Sequence, residues 1–95
     1  MRQMTAGEDT SMRRKKIRYR AWHRGTREMD LVLGPFADVH TPTMSEPELD
    51  RLEALMEEED PPLLKWVMGQ EAPPPNVDVA FLALVIADHK ARLAK

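Results

Sequence analysis

Apolar positions recur along this chain at offsets of three and four, and few stretches alternate, so the pattern predicts helices and no convincing strand. The first helix is expected from Met12 to about His23, with Ser11 as its cap. Ile17, Ala21 and Arg24 fall on one of its faces, Tyr19 and Trp22 on another. Gly25 is placed to take the left-handed conformation that ends a helix, and Thr26 to cap the next. That second helix sets Met29, Val32, Leu33, Phe36 and Ala37 on a core-facing stripe. Pro35 has no N–H for the carbonyl of Leu31, so a kink or break is expected at Gly34-Pro35.

The third helix is the best marked. Ser45 and Glu48 spell a capping box, Met44 and Leu49 a hydrophobic staple, and Leu49, Leu52, Leu55 and Met56 a buried stripe. Glu57, Glu58, Glu59 and Asp60 fit poorly at the negative end of a helix. They fit better before a fourth helix, with Asp60 as its cap and Pro61 at its first position. That short helix carries Leu63, Leu64, Trp66, Val67 and Met68, and Gly69 ends it. Ala72-Pro73-Pro74-Pro75 reads as a stiff extended link. Asn76 is expected to cap a last helix through about Leu93. Its first half is apolar almost all round, which suits a central helix packed on several sides. The expected architecture is all-α, a small compact five-helix bundle. Residues 1–10 are expected to form a flexible tail and 11–95 a single helical domain.

Size and charge restrict what such a bundle can do. At 95 residues the chain has room for one domain. A domain this small buries only ~60–65% of its unfolded surface, so no deep enclosed active site is expected. There is no cysteine, which excludes disulfides, thiolate nucleophiles and zinc–thiolate sites. The net charge of -2 conceals a strong asymmetry. Up to Arg27 there are nine Lys/Arg against two Asp/Glu; from Glu46 to Asp60 there are eight acidic residues against Arg51 alone. The longest apolar run, Val79 to Ala87, is far short of the ~20 residues a membrane span needs, so no membrane insertion is expected. Met1 to Ser11 carries Glu8 and Asp9 and has no apolar core, which argues against a secretory signal or transit peptide and for a cytoplasmic location.

Candidate chemistry is sparse. The basic run from Arg13 to Arg20, with Tyr19 and Trp22 available to stack, suits phosphates and bases. It equally suits a strip paired with the acidic third helix, and a single basic element in an acidic chain favours that second reading. His23, His40 and His89 lack metal-ligand spacing, so no metal site is expected. His23 and Glu28 have no nucleophile or phosphate loop beside them, so the chain is not expected to be an enzyme. Glu57 to Asp60 lack the alternating ligands and turn glycine of a calcium loop. Trp66 and Phe81 are large enough to be interface anchors or core; Phe81 is assigned to the core.

The segment Trp22-His23-Arg24-Gly25-Thr26-Arg27-Glu28-Met29-Asp30 stands apart. A helix–helix corner accounts for Gly25 and Glu28. It does not require Arg24, whose planar fork of donors lies beside a bare stretch of backbone. Arg24, Gly25 and Glu28 together suit docking onto a polar groove of another protein.

Arg24-Gly25-Thr26-Arg27-Glu28-Met29-Asp30-Leu31, followed by Gly34 and Phe36, resembles the Arg-Gly-x-x-Glu signature of the succinate dehydrogenase assembly factor, or FAD assembly factor, family. Ser45-Glu46-Pro47-Glu48, Asp60-Pro61-Pro62-Leu63-Leu64-Lys65-Trp66 and the Gly69 linker continue the resemblance in the same order, over roughly Arg14 to Leu93. Pro35 before Phe36 departs from the pattern, where a residue with a backbone N–H is usual. The resemblance implies a five-helix bundle and a non-enzymatic chaperone, expected to be a monomer. It would bind the flavoprotein subunit of succinate dehydrogenase, and that of fumarate reductase, and promote the covalent histidine–FAD bond. It would hold no cofactor stably itself, acting on FAD held by the partner. Carried onto this chain, Arg24, Gly25 and Glu28 form the contact motif, with Arg27 inside it and Trp66 as a second matching position. The competing expectation is a small nucleic-acid-binding or antitoxin-like regulator that uses the basic first helix.

Overall fold

Five α-helices follow one another without a strand among the described residues, the longest connection being residues 68–78: α1 (Ala6–Trp22), α2 (Arg27–His40), a 3-10 turn (Thr41–Thr43), α3 (Glu46–Met56), α4 (Asp60–Val67) and α5 (Val79–Leu93). The computed structural model describes residues 6–94, with side chains from Thr10 onward. The expected all-α five-helix bundle is what forms. α1 packs along α2, α3 leans on α1 and α5, and α4 closes the gap between α2 and α5. Ile17 and Ala21 from α1 meet Met29, Leu33 and Ala37 of α2 in one buried cluster with Leu49, Leu52, Leu63, Phe81 and Val85. Phe36 and Phe81 cross edge to face with centroids 5.9 Å apart, the arrangement ring quadrupoles favour.

α1 starts earlier than the expected Ser11 cap. Ser11 lies inside the helix, and Thr10 is buried where its Oγ1 donates to Glu46 Oε2 at 2.5 Å, tying this turn to the start of α3. Residues 6–10 are thus helical and not tail; the rest of the expected tail, residues 1–5, lies outside the described residues. Part of the basic strip is paired within the fold, while Lys15 and Lys16 stay exposed. Arg13 pairs with Glu53 and Asp50, and those hydrogen bonds raise its pKa above the ordinary arginine value. Arg20 pairs with Glu53 and Glu57. Arg14 donates to the carbonyls of Thr41 and Met44 at 2.7 and 2.5 Å, bracing the α2–α3 connection. The paired-strip reading of the charge asymmetry therefore holds for these residues.

α2 runs through Gly34-Pro35 without the expected break. Leu31, whose carbonyl loses its partner to Pro35, is exposed, so that carbonyl lies on the wet side of the helix. On the dry side Val32, Leu33, Phe36 and Ala37 are buried, and their packing offsets the ~3 kcal/mol a proline costs inside a helix. Thr26 caps α2 as expected, accepting from Met29 N at 3.3 Å, and the Ser45–Glu48 capping box of α3 forms in full.

Two caps shift. Asp60 is the first residue of α4 and not its cap; Glu59 takes that position without a side-chain bond. Asp78, not Asn76, caps α5, its Oδ1 accepting from Phe81 N at 3.0 Å. Gly69 ends α4 as expected. It holds the positive φ of 74°, while Gly69 N and Gln70 N return to the carbonyls of Trp66 and Lys65, a Schellman closure. α5 is not the central helix its composition suggested. It buries only Phe81, Leu82 and Val85 and leaves Val79 and Leu84 in solvent. Its neighbours lie on one side, and a chain of this length has no further layer to cover the other.

Candidate protein-docking site

The corner between α1 and α2 is built around a carboxylate 36 residues downstream. Asp60 Oδ2 accepts from the backbone N–H of Gly25 at 2.8 Å and of Thr26 at 3.2 Å, and its Oδ1 accepts from Arg24 Nε at 2.8 Å and Nη2 at 2.7 Å. The other guanidinium donors reach the carbonyls of Met56 and Glu58, each at 2.6 Å. Arg24 thereby satisfies backbone acceptors where α3 ends and fixes them to the start of α4. Its own N–H donates to Asp30 Oδ1 at 2.6 Å. The Arg24 and Asp60 side chains are only 12% and 9% exposed.

These distances revise three expectations. Arg24 does not offer its fork of donors to a partner, because the fork is occupied within the chain. Gly25 is not left-handed; Gly69 is the only residue with positive φ among those described. What Gly25 supplies is close approach, since a Cβ there would stand 3.3 Å from Asp60 Oδ2. Trp66 is 5% exposed and belongs to the core, so it is no open surface anchor. Its indole Nε1 has no hydrogen-bond partner among the described residues.

Arg27 and Glu28 remain on the outside, in the first turn of α2, where a carboxylate suits the positive end of the helix. The corner opens as a shallow groove of about 540 Å³ whose lining includes the Arg24–Asp60 pair together with Arg20, His23, Gly25, Thr26, Glu59 and Pro61. On its other side Glu28 stands at the rim of a second groove, of about 310 Å³, between α2, α4 and the end of α5.

One prop of this corner was not anticipated. The Trp22 ring lies over Gly34, so close that a Cβ at Gly34 would stand 2.3 Å from a ring carbon. Trp22 Nε1 donates to Asp38 Oδ2 at 3.0 Å. The signal was a glycine in mid-helix, which marks close packing as readily as it marks a break.

No group of three or more His, Asp or Glu is arranged to hold a metal among the described residues, and no described helix is long and apolar enough to cross a membrane. The described residues form a small helical protein with a braced corner between α1 and α2 and an exposed charged turn at the start of α2. The chain belongs to the family described as flavinator of succinate dehydrogenase, whose model matches residues 15–90. It is 32% identical over 87 residues to the FAD assembly factor SdhE of Acetobacter pasteurianus, covering 92% of this chain and 80% of that protein. It is 38% identical over 60 residues to the FAD assembly factor SdhE of Vibrio cholerae, covering 63% of this chain and 69% of that one. A third relative, the mitochondrial succinate dehydrogenase assembly factor 2 of Dictyostelium discoideum, is 32% identical over 72 residues; the match covers 76% of this chain and about half, 51%, of that protein.

Proposed function

We propose that this protein serves succinate dehydrogenase flavinylation as a non-catalytic chaperone, docking on the flavoprotein subunit through the exposed turn at Arg27 and Glu28. The observation that carries the reading is the match to the flavinator family along most of the chain, including this corner. The geometry supplies the division of labour. Arg24, Gly25 and Asp60 hold the corner rigid, and Glu28 projects from it as a charge whose position is fixed before the partner arrives. Preorganisation of that kind lowers the ordering cost of binding.

As a chaperone it would act by differential affinity. A rigid bundle that binds one arrangement of the flavoprotein's domains better than the others raises the population of that arrangement. If that arrangement holds the acceptor histidine against the flavin, attachment is accelerated through proximity alone. FAD stays with the partner throughout. On this reading the protein acts as a cytoplasmic monomer and serves the flavoprotein of fumarate reductase as well. The pairing of Arg13 and Arg20 with α3 supports reading α1 as a paired strip and not as a nucleic-acid arm, though Lys15 and Lys16 stay exposed.

The test is reconstitution. The apo-flavoprotein subunit and FAD are incubated with and without the purified chain, and covalent flavin is read by in-gel fluorescence after denaturation. The reading expects a clear rise in the rate of attachment. An unchanged rate, with no complex formed, contradicts it.

A further inference from the structure

The groove beside Glu28 is walled by Leu31 and Val32 of α2 and by Leu64 and Met68 of α4, with Gln70 and His89 completing it. Leu31 and Met68 are 47% and 53% exposed, large apolar side chains left in solvent on two different helices. Each alone would be unremarked, because scattered apolar residues are normal on a surface. Here they flank one concavity of about 310 Å³, large enough for a single bulky side chain, and the carboxylate of Glu28 stands at its edge. Glu28 and Leu31 lie three residues apart on α2 and so share one face. The Schellman closure at Gly69 and Gln70 fixes the α4 wall, and the packed stripe of α2 fixes the other. The cleft therefore does not have to form on binding.

We infer that this groove receives one apolar side chain of the flavoprotein subunit, adjacent in that partner to a basic group that meets Glu28. The inference rests on the docking reading above and adds the recognition chemistry: an apolar anchor beside a cation. The charge complementarity is set by Glu28, the ionisable acid lining this groove; the remaining walls are apolar except Gln70 and His89. The corner groove on the other side of Glu28 has charged rims and no comparable apolar walls, so the anchor belongs on the α4 side. Apolar anchors seated in pockets carry a large share of interface energy, while rim charges act mostly on encounter.

The experiment measures affinity and dissociation rate of the full chain for the purified flavoprotein subunit at low and high salt. The variants are Leu31→Gln, Met68→Gln and Glu28→Gln, with Leu84→Gln as control. Leu84 is an exposed residue of α5 that lines a different groove and shares no lining residue with this one. Glutamine removes the apolar anchor site without adding charge, and thermal melts confirm the fold of each variant. Leu31→Gln and Met68→Gln are each expected to weaken binding about tenfold through faster dissociation, with the loss unchanged by salt. Glu28→Gln is expected to lose affinity at both salts and more so at low salt, and Leu84→Gln to bind as wild type. If Glu28→Gln weakens binding while both groove variants stay within about twofold of wild type, the groove inference fails and the docking reading stands. If wild type itself does not bind the flavoprotein, both fail.

Discussion

Arg24 and Asp60 face each other across the junction of α1, α3 and α4, joined by Nε–Oδ1 and Nη2–Oδ1 contacts of 2.8 and 2.7 Å and almost sealed from solvent. Asp60 also anchors the backbone of Gly25 and Thr26. The arginine that precedes the glycine in the motif is therefore a bolt of the fold, and the glutamate three residues after the glycine stays exposed in the first turn of α2.

Removing the bolt should unfold before it unbinds. Arg24→Ala strands a buried carboxylate and the carbonyls of Met56 and Glu58, and should cost about 2–4 kcal/mol. At this chain length each kcal/mol is worth roughly 4–8 °C in Tm. Arg24→Lys keeps the charge but not the fork, and should fall between. A double-mutant cycle of Arg24→Ala with Asp60→Ala by thermal melting should show strong coupling; additive losses would show that the two do not act as a pair.

Glu28→Ala should behave in the opposite way. The side chain is exposed, so losing its favourable place in the first turn of α2 should cost only about 0.3–1 kcal/mol. Binding to the flavoprotein should fall by far more than stability does. Equilibrium unfolding and binding measured on the same preparation separate the two effects.

Gly34→Ala should destabilise the α1–α2 packing. The added methyl would stand 2.3–2.7 Å from three carbons of the Trp22 ring, which must swing out and release Asp38. Overpacking of this kind typically costs about 1–3 kcal/mol. The emission of the two tryptophans should shift to the red, since Trp66 stays buried and Trp22 becomes wet. Unchanged emission and Tm would mean that the ring is not held against α2.

Asp78 gives the acid limb of stability a specific contributor. Hydrogen bonds from Arg51, then from Phe81 N–H, hold its carboxyl down at about 2. A folded pKa below the unfolded value means stability that is present above about pH 4 and is lost as pH falls toward 2. The group is partly open to water, so the effect is modest. Urea midpoints measured from pH 4.5 down to 2 should fall less steeply in Asp78→Asn than in wild type.

Local rules carried much of the fold into the sequence. The capping box at Ser45 and Glu48, the cap at Thr26 and the stop at Gly69 each follow from one residue acting on neighbours three or four positions away, and each is where it was expected. What was misread depends on distant partners. Pro35 looks like a breaker until the buried stripe beside it is known. Gly25 looks like a left-handed stop because the sequence does not reveal that Asp60 lies against it. Val79 and Leu84 look like core because composition does not say how many neighbours a helix has. Within the motif, Arg24, Gly25 and Glu28 were read as one contact unit, whereas Arg24 and Gly25 are tied to Asp60 and Glu28 stands outside that network, a division that required the position of Asp60. Trp66 matched the family pattern and turned out to be buried.

The central claim is that Glu28 is a recognition group on a correctly folded bundle. Its most direct test is covalent-flavin fluorescence of the succinate dehydrogenase flavoprotein in cells lacking this gene, complemented with wild type or with Glu28→Ala at equal protein level. The account predicts weak fluorescence without the gene, recovery with wild type, and little recovery with Glu28→Ala despite an intact fold. Full fluorescence in the deletion strain, or full recovery with Glu28→Ala, would contradict it.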